Sequence, residues 1–223
     1  MRFCLTKTIV YIFLIFMSGF SRAAEVQNIY KIEFGSIDIG TMIWTLNNDQ
    51  EKYISKIILK DRGLLSVLYR FSGEYLSVGY LEKNKFISSS YSQKWQTKKK
   101  EKVVKILFED KKTINIILKP RETEKLRIDF TNFEKTTDPI SSMLNIFFSN
   151  ENNFTTIDGR RVYKMKKVKN KILINDYYNL WADHSRKDLE YIVIERGKNK
   201  IGFPERFKIK NKGLVFSLKK INS

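Results

Sequence analysis

Cysteine is all but missing from this 223-residue chain: Cys4 is the only one, and it lies inside an apolar N-terminal segment. Beyond that segment there is no thiol, which excludes disulfides, cysteine nucleophiles and Cys-ligated metals together. Histidine is equally scarce. His184 stands alone, and one imidazole without thiolates does not make a transition-metal site. In "WADHSRKD" it is flanked by Asp183 and Ser185, but neighbours in an extended chain point to opposite faces, whereas a triad needs three side chains converging in space. A polar loop is the expected setting. Glycine-rich phosphate loops, internal repeats of fixed period and a second long apolar run are also lacking, so neither cofactor nor metal is expected.

What is present begins with "MRFCLTKTIVYIFLIFMSGFSRAA". A basic start (Arg2, Lys7), an apolar run from Thr8 to Phe20 and small residues at Ser21 and Ala23 read as a secretory signal peptide over 1–23, cleaved after Ala23. The run is shorter than the ~20 residues that span a bilayer core. The expectation is a protein exported to the periplasm, with 24–223 as a single β-rich domain; some 200 residues with this aromatic content can bury a sizeable core.

The net charge is +18. The first 23 residues hold three of the 42 cations and no acid, leaving 39 against 24 acidic residues, or +15. Most cations are lysines spread along a chain rich in Ile and Asn, with dense runs only at 98–100 and 164–171, and export removes the chain from nucleic acid. A weak attraction to an anionic membrane surface is the expected consequence.

From Val26 to about Lys60 the hydrophobic pattern has period two: Tyr30, Ile32 and Phe34, then Met42, Trp44 and Leu46, then Tyr53, Ile57 and Leu59. These are half-buried strands, with Gly35 as a turn, Gly40 as a bulge or close contact, and "NNDQ" closing a hairpin. Leu64, Val67, Leu68 and Phe71 fall at i, i+3, i+4 and i+7, which predicts a short amphipathic helix. Strands resume through 74–119, "KLRIDF" adds a short one, and further strands follow to the C-terminus. "TTDPISSMLNIFF" at 136–148 differs. Asp138 is placed to cap and Pro139 to open a helix, and Ile140, Met143, Leu144, Phe147 and Phe148 give it a wide apolar face.

The expected fold is mainly β: a large curled antiparallel sheet or half-open β-barrel of about eleven strands, with two short helices covering the concave face. The residues from both helices (Leu64, Val67, Leu68, Phe71, Ile140, Met143, Leu144, Phe147 and Phe148) are candidate lining for a ligand. Polar candidates are few. Asp138 and Asp158 have the chemistry of paired carboxylates, but a helix cap and a hairpin turn with Gly159 account for them. Arg160 and Arg161 project to opposite faces of a strand, so at most one faces inward. No catalytic residue stands out, and an enzyme is not expected.

Several segments in order, "YKIEFGSIDIGTMIWTL", "GLLSVLYRFSGEYLSVG", "TDPISSML", "DGRRVY" and the closing "GLVFSLKKI", together resemble an exported bacterial family catalogued as domain of unknown function 3108. Members commonly carry a cysteine ahead of the "DGRR" segment and another further on; this chain has neither. The resemblance implies an envelope protein with a β-rich fold and no assigned catalytic residues. Two functions then diverge. A movable helix would open the concavity to an apolar ligand such as a lipid acyl chain, as in exported lipoprotein carriers, which are similar in outline. A fixed helix would make a structural or protein-interaction module of the envelope. The first predicts a large continuous apolar cavity, the second dense packing.

Overall fold

Among the described residues the period-two pattern becomes a sheet of fourteen strands that starts in its own middle. The structure, a computed structural model, describes residues 24–63, 70–181, 188–197 and 201–221. Residues 1–23, with the expected signal peptide, and His184 with its neighbours lie outside the described residues, as do Leu64, Val67 and Leu68 of the first expected helix.

One arm of the sheet runs through β1 (Ala24–Phe34), β2 (Ile37–Asn48), β3 (Lys52–Asp61), β4 (Phe71–Glu82), β5 (Lys85–Thr97), β6 (Glu101–Glu109) and β7 (Lys112–Lys119). The other comprises β8 (Thr136–Thr137), β9 (Asn153–Ile157), β10 (Arg161–Val168), β11 (Lys171–Asn179), β12 (Leu189–Glu195), β13 (Arg206–Asn211) and β14 (Leu214–Ile221). The arms join where β1 pairs with β14, and the order across the sheet is β7 through β1, then β14 through β8. Twelve pairings link sequence neighbours, and all thirteen are antiparallel except β8 with β9. That exception follows from α1 (Pro139–Phe148), which lies between them and supplies the crossover that parallel strands need.

Among the described residues α1 is the single α-helix, so the architecture has more strands and fewer helices than expected. The two-residue β8 carries no periodicity that a sequence can show. Phe71 opens β4 instead of closing a helix: it pairs with Thr97, and its ring stacks on Trp95 at 5.4 Å. "KLRIDF" forms no strand. The Arg127 amide donates to the Leu180 carbonyl at 2.8 Å and Asp129 caps a 3-10 turn at Phe130–Asn132, so this segment crosses the barrel end without a register.

The sheet curls until its two edges meet. The Thr136 amide donates to the Lys111 carbonyl at 3.0 Å, and the Thr113 and Thr136 hydroxyls lie 3.1 Å apart. Nearby, the turn after β9 presses on β6. Gly159 has φ +89° there, and a Cβ would stand 2.5 Å from Val104 Cγ1, so this position needs glycine twice over. The result is a nearly closed barrel, apolar inside. Outside, cross-strand ion pairs such as Lys56–Glu74 and Lys94–Glu101 face water. That is the reverse of a barrel embedded in lipid.

Candidate functional site

Successive inward positions divide the barrel interior into two halves. Towards the β2–β3 and β4–β5 turns they are Tyr53, Ser55, Ser77 and Ser88, all buried. Here α1 is inserted. Its cap, Asp138, is fully buried, and one carboxylate oxygen accepts the Ile140 and Ser141 amides at 2.8 and 3.1 Å. The other accepts the hydroxyls of Ser77 at 2.7 Å, Ser88 at 2.6 Å and Ser141. Tyr53 Oη lies 2.6 Å from Ser141 Oγ and 3.2 Å from Ser77 Oγ, and the Asp138 amide donates to Ser88 Oγ at 3.0 Å. None of these partners is charged. Burial therefore pushes the Asp138 carboxyl above its ordinary value, against the hydrogen bonds from Ser141, Ser88 and Ser77 that favour the anion. Burial likewise raises the Tyr53 phenol.

The rest of the helix is tied down as closely. Asn145 exchanges two hydrogen bonds with the backbone of Phe86, accepting its amide at 2.8 Å and donating to its carbonyl at 2.9 Å. At the C-terminus Arg196 donates to the Ile146 and Phe147 carbonyls at 3.0 and 3.2 Å, Lys167 reaches the Ile146 carbonyl at 3.2 Å, and the Gly202 amide reaches that of Phe147 at 3.1 Å. Cations on the last helical carbonyls complement the helix dipole. Leu144, Ile146 and Phe147 are buried to 1 % exposure or less, with Phe147 packed against Trp44, Phe203 and Phe207. The helix is a pinned plug.

Towards the other end the inward positions turn apolar and aromatic, and the described residues leave a space between them. A cavity of about 810 Å³ remains, with walls that include Met42, Ile57, Leu59, Tyr75, Trp95 and Ile209 and a floor formed by Pro139, Ile140 and Met143. Its volume falls within the ~300–1,000 Å³ of small-molecule pockets. Polar groups are sparse. Tyr91 donates to Gln93 at 3.3 Å, and burial raises both Tyr75 and Tyr91 so that each stays a neutral phenol.

Asp158 lines the same cavity. One of its oxygens accepts the Arg160 and Arg161 amides at 2.8 and 2.7 Å, which makes the turn; the other accepts Tyr163 Oη at 2.6 Å. Burial, and then the Asp158 charge, hold the Tyr163 phenol far up. Arg161 donates to Asp188 at 2.8 Å and stands 3.9 Å from Asp158. Arg160 points away, to Glu122.

Of the sequence candidates, then, Ile140, Met143, Phe71 and Asp158 line the cavity. Leu144 and Phe147 do not: the helix turns that face into Trp44 and the closed end, so they are core. Phe148, half-buried, packs on Phe86 and Phe203. Asp138 and Asp158 serve separate hydrogen-bond groups and share no partner among the bonds described. Sequence reasoning missed Tyr53, Ser77 and Ser88. The available signal was serine on the inward phase of otherwise apolar strands, which asks for a polar partner.

Among the described residues no group of three His, Cys, Asp or Glu side chains could hold a metal ion, and no helix is long and apolar enough to cross a membrane. No curated protein sequence matches the chain. A solved structure similar to it is that of a beta-barrel-like protein of domain of unknown function DUF1849 from Brucella abortus, with 11% identity, a TM-score of 0.48, and coverage of 90% of this chain and 97% of that one. A family model described as protein of unknown function (DUF3108) matches residues 29–172, more than half of the sequence, and the chain belongs to that family.

Proposed function

We propose that the protein binds an apolar ligand of acyl-chain character inside the open half of the barrel, acting in the periplasm after export on its N-terminal segment. The single observation that carries this reading is the 810 Å³ apolar cavity beside a helix that is already seated. Ile, Leu, Met and aromatic side chains lining a space of that size gain dispersion contacts from an alkyl chain seated among them. Ligand entry requires no movement of α1, so its bonds at both ends are compatible with uptake. The function is non-catalytic: the serines around Asp138 are buried and already share their hydroxyls with its carboxylate and with one another.

The test is uptake of a fluorescent fatty acid, followed by native mass spectrometry of the complex. Wild type should bind one chain, and Ile57→Trp/Ile209→Trp, which fills the cavity from opposite walls, should abolish binding while keeping the fold. Equal binding by the filled variant would place the ligand elsewhere. Absence of uptake by wild type would favour the alternative, an interaction module of the envelope, for which the exposed Leu107 and Ile117 on the outer face of β6 and β7 are the observation to pursue.

A further inference from the structure

The cavity lining extends to where β1 gives way to β2 and β13 to β14, through Phe34, Asn211 and Leu214. Three large apolar side chains stand at these tips: Phe34 at 38 %, Ile37 at 54 % and Leu214 at 47 % exposure. They are not scattered. Phe34 lies opposite Ile37 in β2 and opposite Phe216 in β14, with the two phenyl rings 5.7 Å apart. Phe34 and Leu214 also line the cavity, as does Ile39, two residues inward from Ile37. Apolar surface is therefore continuous from the outermost tips to the interior.

Cations stand on the same end of the barrel. Lys212 occupies the β13–β14 turn with its side chain 61 % exposed, Arg62 follows β3 and is exposed, and Lys98, Lys99 and Lys100 form the exposed β5–β6 turn beyond Trp95. A water-facing opening gains nothing from bare Ile and Leu at its rim, whereas apolar tips flanked by lysines match the layering of a bilayer surface. Alkyl groups enter the headgroup boundary and ammonium groups meet lipid phosphates.

We propose that this rim docks on a bilayer containing anionic lipid, holding the cavity mouth against the acyl region so that a chain passes between membrane and barrel without crossing water. The proposal rests on the reading of the cavity as an acyl-chain site, and it commits to a lipid surface as the occupant of the rim.

Flotation of the purified protein with vesicles of phosphatidylcholine, alone or mixed with phosphatidylglycerol, tests it. Wild type should float with the mixed vesicles and be released by salt. Lys98→Ala/Lys99→Ala/Lys100→Ala should weaken binding by roughly fivefold per lysine lost. Ile37→Asp/Leu214→Asp should abolish it, while Ile54→Asp, an equally exposed site at the plugged end (51 %), should bind like wild type. The triple-lysine variant, none of whose positions lines the cavity, must still take up soluble fatty acid, which separates this proposal from the cavity reading: weakened vesicle binding with retained uptake supports docking, and lost uptake in wild type removes the acyl site instead. Undiminished flotation of Ile37→Asp/Leu214→Asp, or no flotation of wild type, overturns the proposal. So does a dimer in solution that the same substitutions dissolve, since the rim would then face a second copy.

Discussion

The two halves of the barrel interior are built by the same strands and finished in opposite ways. On β3 the inward residues change from Tyr53 and Ser55 to Ile57 and Leu59 within seven positions, and on β4 from Ser77 to Tyr75. The half that holds α1 is the one with buried serines and the Asp138 carboxylate among its apolar contacts, and the half that the described residues leave open is lined almost wholly by apolar and aromatic side chains. A core assembled for stability alone would do the reverse, because apolar surface gains most from being covered. Hydrogen bonds fix where α1 sits, through Asp138 at one end and Arg196 at the other, and α1 reaches the apolar half only as its floor, through Pro139, Ile140 and Met143.

The strongest way to break this comparison is to empty the plugged half. Phe147→Ala should cost about 4 kcal/mol, because a fully enclosed ring is removed from among Trp44, Phe203 and Phe207. Met143→Ala, three residues into the same helix face but on the cavity floor, should cost only about 1 kcal/mol, since no new enclosed void forms. Urea denaturation of both variants measures the contrast; equal losses would mean that the cavity is no more open to relaxation than the core.

Next in size is Asp138→Ala, expected to cost about 3 kcal/mol through loss of the cap and of the acceptor for three buried hydroxyls. Asp138→Asn keeps the shape and sharpens the argument through pH. Burial holds the Asp138 carboxyl above its ordinary 3.8 in the folded chain. The folded state then keeps its proton more tightly than the unfolded chain, so the contribution is most favourable below 3.8 and is lost as pH rises through the folded value. Wild type should therefore gain stability relative to Asp138→Asn as pH falls from about 7 towards about 4. A difference that stays flat or shrinks would mean that the serine hydroxyls outweigh burial.

The smallest effect belongs to the empty half. Ile57→Trp/Ile209→Trp should change stability by no more than about 1 kcal/mol, whereas overpacking a filled core costs ~1–3 kcal/mol. A large loss on thermal or urea unfolding would show that the space is not available to added side chains.

How far these features were legible in the sequence depends on the range over which each is determined. The start of α1 is encoded in consecutive residues, and Asp138 with Pro139 announces it. The second task of Asp138 is invisible there, because Ser77 and Ser88 lie 61 and 50 residues away. Period-two alternation identifies Ile57 and Trp95 as inward, yet it cannot say whether an opposite wall touches them, and so a cavity was an expectation about curvature. The face of α1 was read as one stripe. In the fold it serves two surfaces, with Met143 over the cavity and Phe147 in the core, because the helix is sunk into the barrel rather than laid across it. The two-residue β8, which brings the seam together through Thr136, has no pattern of its own to read.

The pairing of β1 with β14 carries a kinetic consequence. Every other strand contact closes between sequence neighbours, so each arm can zip as a meander of local hairpins at small loop-closure cost. Among the strand pairings the single long-range one joins β1 to β14. A chain made from its N-terminus completes seven strands early and must hold the free edge of β1 unpaired until β14 arrives, so the strand of this sheet that comes last in sequence closes its middle, not its rim.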